Sequence, residues 1–409
     1  MSVRADLLNI FEQGKGIFRL APNWVPRSFC IPGRRLKLHP DDLFALGGER
    51  GGIGERWLSS VTAADNGSLT AANEGLSFIV IDRGSDAGLI LLREAVAELK
   101  ADLVGESIWQ RFGRWPVLCK LFDYQTAIPF HIHHGQRYAG LVGMNEKPES
   151  YYYPVQLNNH PGNFPFTFFG LLPGVGRQEV RKALERFSDG DNRITDLARC
   201  YKLELGSGWN VPAGMLHAPG SLCTYEPQAD SDVFAMVQSM VESIRFSEEL
   251  LWKNSPEDKF GDFDFLLEVI DWRLNMDADF YGKNFMRPIP LLEPGETETR
   301  GYQERWISYR STAFSAKELT IQPGRSVTIH DRGAYGVIVI QGRGRLGVWR
   351  VESPTLIRYG QLTDDEFFVS ARAAAQGVRI ENESEVEPLV ILKHFGPDNP
   401  DLREPLPAS

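Results

Sequence analysis

From residue 117 to about 242, and again from 306 to 395, the apolar runs of this chain are strand-sized and cut short by Gly, Pro or Asn. In the first stretch they fall at 117–122, 150–156, 166–172, 199–205 and 231–240; in the second, at 326–330, 337–340, 346–350, 366–369 and 389–393. A helical bundle needs a 3.6-residue period sustained over longer segments than these. Short, frequent strands separated by turn residues predict a sandwich or barrel of jelly-roll type. Composition agrees: Gly (39) and Pro (25) together make about 16% of the 409 residues, against a norm of roughly 12%.

Helical periodicity is confined to a few places. Residues 91–103 place Leu92, Ala95, Val96, Leu99 and Leu103 on one face, and 177–187 do the same with Val180, Ala183, Leu184 and Phe187. A charge-rich helical stretch covers 242–279, and 286–298 is Pro-rich and reads as a linker. The expected division is an N-terminal segment at 1–115 packing on the first barrel, and a first β barrel at 116–242. A helical connector and linker then occupy 243–300, a second barrel 301–397 and a tail 398–409. A loose echo between 323–342 and 128–133 makes two units of one fold the expectation.

The formal net charge of −10 argues against a nucleic-acid partner, whose affinity needs many Lys and Arg contacts to phosphate. No apolar run approaches the roughly 18 residues of a membrane span, and the N-terminus lacks the apolar core of a signal peptide. Cys30, Cys119, Cys200 and Cys223 form no CxxC pair, so reduced thiols and a cytoplasmic location are expected.

Three of the eight histidines stand in one tetrapeptide, His131-Ile132-His133-His134. On a strand, alternation puts His131 and His133 on one face and His134 on the other, where a supporting role is expected for it. Two imidazoles so placed can grip one ion. A carboxylate follows at Glu149, with Glu146 as its competitor. Further on, Pro212-Ala213-Gly214 turns the chain into His217. Three His and one Glu make a compact metal set with positions left for water or substrate.

These segments resemble cupins, and more closely the short bacterial form of the type I mannose-6-phosphate isomerase family. That family carries a Q-x-H or similar pair on a strand, a K-P-E or K-T-E segment and a P-x-G-x-x-H-A segment. Here they stand as His131-Ile132-His133, Lys147-Pro148-Glu149 and Pro212-Ala213-Gly214-Met215-Leu216-His217-Ala218. Gly54-Glu55-Arg56-Trp57 resembles an early E-x-W, and Trp115–Lys120 resembles an apolar strand ending in Lys. The run from Glu226 to Asp232 resembles an E-x-Q-x-x-S-D motif. The likeness covers roughly residues 40–245 and is fainter beyond.

The resemblance implies a mainly β fold of two cupin (jelly-roll) barrels, the second without metal. It implies a metal-dependent aldose–ketose isomerase acting through an enediol on a small carbohydrate. It makes His131, His133, Glu149 and His217 the ligands of one divalent ion, zinc first, with Fe, Mn, Ni or Co as alternatives. Lys120, Lys147 and Asp232 would line the substrate pocket, with Glu226 as a further carboxylate. Lys147 beside a dication is a candidate base. Two positions depart from the family. His131 replaces a common Gln, and no Arg follows Ser231-Asp232, where Val233-Phe234-Ala235-Met236 stands instead. The missing guanidinium leaves open whether the sugar is phosphorylated. Another cupin enzyme, such as a metal-dependent oxygenase, and a non-catalytic sugar-binding cupin are the competing readings. In the second unit, His330 is expected to be structural, and His394 lies at its far end.

Overall fold

The apolar runs become strands of two antiparallel barrels, each made of a large and a small sheet. The computed structural model describes residues 3–82, 87–159 and 165–402; residues 1–2 of the N-terminal segment and 403–409 of the tail lie outside them. In the N-terminal barrel the large sheet has the order Phe285–Met286, Gly208–Val211, Glu149–Tyr152, Thr224–Ala229, Val117–Phe122, Gly52–Leu58, Asn23–Arg27. Facing it is a five-stranded sheet of Ala198–Lys202, Phe166–Leu171, Leu216–Ala218, His131–Ile132 and Ala235–Met236. Neighbours in space are distant in sequence, as jelly-roll connections require.

The C-terminal barrel repeats this plan. Its seven-stranded sheet runs Ile17–Arg19, Glu366–Val369, Tyr335–Gln341, Leu389–Phe395, Ser315–Ile321, Tyr302–Ser308, Ile289–Pro290. A four-stranded sheet of Ser326–Ile329, Val378–Asn382, Arg343–Leu346 and Trp349–Glu352 closes it.

The two large sheets pack against each other. One apolar cluster joins Cys119, Leu121 and Tyr225 of the first barrel to Ile338, Val390 and Leu392 of the second. This explains why Val117–Phe122 is buried at every position. Cys119 and Leu121 point to the other barrel, while Phe122 joins the aromatic core of its own. Polar links cross the same seam. Arg56 bonds Asp365 in bidentate fashion at 2.8 and 2.7 Å, and Tyr152 donates to Glu318 at 2.6 Å.

Several sequence expectations change. The helix expected at 91–103 is two, Leu92–Leu99 and Ala101–Val104, because Lys100 turns into the left-handed region at φ 51°. The run at 346–350 is a hairpin corner between Arg343–Leu346 and Trp349–Glu352, with Gly347 at φ 59° making the turn. The Pro-rich linker is built structure: Phe285–Met286 adds a strand to the first barrel, Ile289–Pro290 one to the second, and Pro294–Arg300 is a helix. The N-terminal residues do not pack on the first barrel alone. Asn23–Arg27 and Gly52–Leu58 belong to its sheet, but Ile17–Arg19 pairs with Glu366–Val369 of the second. Among the described residues no helix is long and apolar enough to cross a membrane.

Candidate metal centre and cavity

Strand register brings the histidines together. His217 lies directly opposite His131 in the antiparallel pair of Leu216–Ala218 with His131–Ile132, so their side chains share a face. His133, two residues on from His131, projects to the same side. The Pro212–Gly214 turn fixes this approach: Gly214 adopts φ 83° and its N–H donates to the His133 carbonyl at 2.8 Å. Buried Asn275 pins the turn from behind, donating to the Gly214 carbonyl and accepting from the Leu216 N–H, both at 2.8 Å. The ring centroids stand 4.2 to 5.0 Å apart, and the three donor atoms lie within 4.8 Å of one another.

Each imidazole has its Nδ1 against a backbone carbonyl: His131 on Pro129 at 2.7 Å, His133 on Val233 at 2.6 Å, His217 on Met215 at 2.8 Å. A carbonyl only accepts, so the proton sits on Nδ1 and each Nε2 offers a lone pair to the centre. The Nε2 atoms of His133 and His217 are buried and receive no hydrogen bond from any described residue. Glu149 comes from the facing sheet and sets its Oε1 2.7 Å from His133 Nε2 and its Oε2 3.4 Å from His217 Nε2. Acceptors crowded this closely call for positive charge between them. Three imidazole nitrogens and one carboxylate are a donor set suited to a divalent transition metal, and these residues fit one. Burial pulls the His133 imidazole down to about 3 and holds His131 well below its usual value. Both therefore stay in the neutral form that binds metal. Burial opposes the charge on Glu149, but the Lys147 ammonium 3.3 Å away favours it, and the carboxyl is held well below the usual range.

The centre opens on a cavity whose wall includes Lys120, Lys147, Glu226 and Asp232. Lys120 and Glu226 are cross-strand partners in this wall, with Nζ 3.2 Å from Oε1. Burial and repulsion from Glu149 raise the Glu226 carboxyl well above the usual range, although Lys120 opposes this. Burial disfavours the Lys120 ammonium, but Glu226 and Glu55 more than compensate and keep it charged. Lys147 lies 3.3 Å from Glu149 and 3.8 Å from Asp232, as a cation between two carboxylates. Asp232 is brought down to about 2 against burial, chiefly by Arg27 and then Lys147.

All eight residues singled out from the sequence thus meet in one place. Glu146 does not join them: it is exposed and accepts from the Gln136 N–H at 3.2 Å. His134 is buried on the other side of its strand, with neither ring nitrogen hydrogen-bonded. The structure also adds residues that are not among these eight. Arg27, from the strand Asn23–Arg27, grips both oxygens of Asp232 at 3.2 Å and Glu55 at 3.2 Å. Trp57 and Tyr124 hold the Glu55 carboxylate at 2.8 and 2.9 Å, and Tyr151 donates to Glu149 at 2.7 Å. Arg27 and Asp232 are 205 positions apart, and nothing local to Arg27 marks it. For Glu55, the E-x-W segment was the available signal.

No protein-family model matches the chain, and no curated protein matches it in sequence. Solved structures do match. The mannose 6-phosphate isomerase of Bacillus subtilis superposes with a TM-score of 0.60 at 16% identity, over 93% of this chain and 99% of that one. A single-site variant of the phosphomannose isomerase of Salmonella typhimurium gives 0.59 at 13%, over 93% and 100%. A zinc-bound mannose 6-phosphate isomerase gives 0.58 at 13%, again over 93% and 100%. The chain shares the fold of these isomerases over 93% of its length, at 13–16% identity.

Proposed function

We propose that this chain is a metal-dependent aldose–ketose isomerase acting on a sugar or sugar phosphate. The observation that carries the reading is the convergence of three imidazole lone pairs and the Glu149 carboxylate beside a buried Lys120–Glu226 pair. The shared fold supports it. We assign His131, His133, His217 and Glu149 as ligands of one divalent ion. Zinc is the first choice, since a zinc-bound isomerase has this fold, and Fe, Mn, Ni or Co are the alternatives. The catalytic barrel is taken as that built on 116–242 together with the strands Asn23–Arg27, Gly52–Leu58 and Phe285–Met286, and the barrel at 301–397 as metal-free.

Exchange between aldose and ketose moves a proton between C1 and C2, and the difficulty is the negative charge that develops on the substrate oxygens. A divalent ion in this donor set supplies Lewis-acid stabilisation of that charge. The chain's own groups handle the proton. Glu226, whose proton affinity is raised, is the group that takes and returns it, because a weakly acidic carboxyl is a stronger base once ionised. Lys120 pairs with Glu226 at 3.2 Å across the strands. Arg27 acts as a positioning residue that holds Asp232 and Glu55 against the cavity. This charged lining suits a polyhydroxy substrate better than the dry pocket of an oxygenase.

The test is metal content of the purified protein, with His217→Ala as control, followed by isomerisation of aldoses and ketoses in heavy water. One bound ion and solvent deuterium at C1 or C2 are expected. Failure of every aldose and ketose, with and without phosphate, overturns the reading.

A further inference from the structure

The cavity holds three cationic side chains, and each is already matched by a carboxylate of the same cavity. Arg27 is bound to Asp232 and Glu55, both at 3.2 Å, and its remaining N–H groups meet Asn66 Oδ1 at 3.1 Å and the Asp65 carbonyl at 3.5 Å. Lys120 lies 3.2 Å from Glu226 and 3.9 Å from Glu55. Lys147 lies between Glu149 and Asp232, and keeps Asp232 even if Glu149 serves an ion. At the rim, Lys253 rests 5.0 Å above the ring of Phe234, which lines the cavity, and it is paired with Asp65 at 3.1 Å. Among the described residues, no cation of the cavity or of this part of its rim is left uncommitted.

The rest of the lining is apolar. Phe29, Ile128, Pro219, Phe234 and Met236 complete the wall, with the Phe29 and Phe234 rings 6.0 Å apart. Met236 sits opposite His131 in the sheet, so this wall lies beside the centre. A phosphate dianion placed here would meet four carboxyl side chains, Glu55, Glu149, Glu226 and Asp232, and no free donor fork. Its desolvation would go uncompensated. A neutral sugar has no such requirement. Its hydroxyls can share the in-place carboxylates and ammonium groups, and its C–H faces fit the aromatic and Met wall.

We propose that the substrate of this cavity is an unphosphorylated aldose or ketose, and that the corresponding sugar phosphates are rejected. This rests on the isomerase reading and narrows it. The discriminating elements are the closed ion pairs of Arg27, Lys120 and Lys147 together with the uncharged wall at Phe234 and Met236.

The experiment compares neutral hexoses and pentoses with their terminal phosphates on the metal-loaded full chain. It uses deuterium incorporation at C1 and C2, steady-state kinetics and binding by calorimetry. At least one neutral sugar is expected to exchange, with kcat/KM at least about tenfold above that of its phosphate. A phosphate turned over as well as or better than its neutral counterpart overturns this proposal and leaves the isomerase reading standing. No exchange with any sugar overturns both. A second pair of variants probes the cause. Met236→Lys places an uncommitted ammonium in the wall and is expected to move the kcat/KM ratio toward the phosphate at least about tenfold. Met236→Leu should leave the ratio unchanged. An unchanged ratio in a folded, metal-binding Met236→Lys protein overturns the charge argument.

Discussion

Each barrel buries a cluster of charged or metal-ligating side chains, and the two clusters are built on opposite principles. In the N-terminal barrel, acceptors outnumber donors at the centre: three Nε2 lone pairs and the Glu149 carboxylate converge, and a cavity leads in. In the C-terminal barrel, two lysines face two carboxylates. Lys317 lies 2.7 Å from Asp331 and 3.4 Å from Glu304, while Lys393 lies 2.8 Å from Asp331 and also bonds Glu304. Aromatic rings close this tetrad, with Trp306 4.7 Å from Lys317 Nζ and Tyr335 5.1 Å from Lys393 Nζ. The tetrad is neutral and complete, and needs nothing from outside. In the function proposed above, the histidine centre is complete only with a cation. One jelly-roll frame thus supports a ligand-dependent site or a self-contained structural one, according to whether its buried charges balance.

The two histidines of the second unit fit this contrast. His330 is exposed, with Nδ1 3.3 Å from the Ala375 carbonyl. His394 is fully buried at the seam between barrels, 3.0 Å from the Tyr225 hydroxyl. Neither has the convergent partners that His131, His133 and His217 share.

The largest expected effect breaks the N-terminal side of the comparison. His217→Ala should abolish both metal binding and isomerisation, read by elemental analysis and sugar exchange, while circular dichroism stays native. Next, Glu226→Gln should keep the metal but lower kcat by about 10²–10⁴-fold, the usual contribution of a positioned proton-transfer group. Unchanged kcat would remove Glu226 from the reaction.

On the C-terminal side, Lys393→Met leaves Asp331 and Glu304 short of a buried partner. A loss of about 3–5 kcal/mol is expected, read from the denaturant midpoint, with metal stoichiometry unchanged. An altered metal content would mean that the barrels are not separable in this way.

A pH-dependent effect sharpens the seam between them. Burial lowers His394 to about 3, so the native state resists a proton that the unfolded chain accepts near 6.5. Its contribution to stability is whole above pH 6.5 and lost as pH falls toward 3, at about 1.4 kcal/mol per pH unit. Glu366, raised by burial to about 7 although Arg56 opposes it, has the reverse sign. Its native state keeps a proton that the unfolded chain releases near 4.5, so its contribution is whole below 4.5 and lost as pH rises toward 7. Between pH 4.5 and 6.5 the two offset each other. His394→Gln should therefore flatten the acid limb of a stability–pH curve, and Glu366→Gln should steepen the loss on acidification between 6.5 and 4.5.

Much of the site was legible in the sequence because its information is local. Two-residue alternation alone puts His131 and His133 on one face, and a Pro-x-Gly turn alone aims His217. The strands were legible from their turn residues, but not their continuity. The break at Lys100 and the bend at Gly347 are single-residue backbone events with no periodic signature. The Pro-rich stretch has the composition of a linker because two-residue strands such as Ile289–Pro290 are too short to show a pattern.

What remained for the tertiary structure was every choice that depends on pairing between distant strands. The sequence alone could not choose between Glu146 and Glu149; burial did, because only Glu149 enters a strand facing the histidines. It named Lys120 and Glu226 without showing that they are cross-strand partners, that this pairing keeps the lysine charged, or that burial beside Glu149 makes the carboxyl weakly acidic. It gave no sign of Arg27, whose guanidinium reaches Asp232 only when the first sheet closes. Ligand type and strand face follow from residue chemistry and a period of two. Charge balance in a buried cavity is a sum over neighbours, and the neighbours are chosen by sheet register.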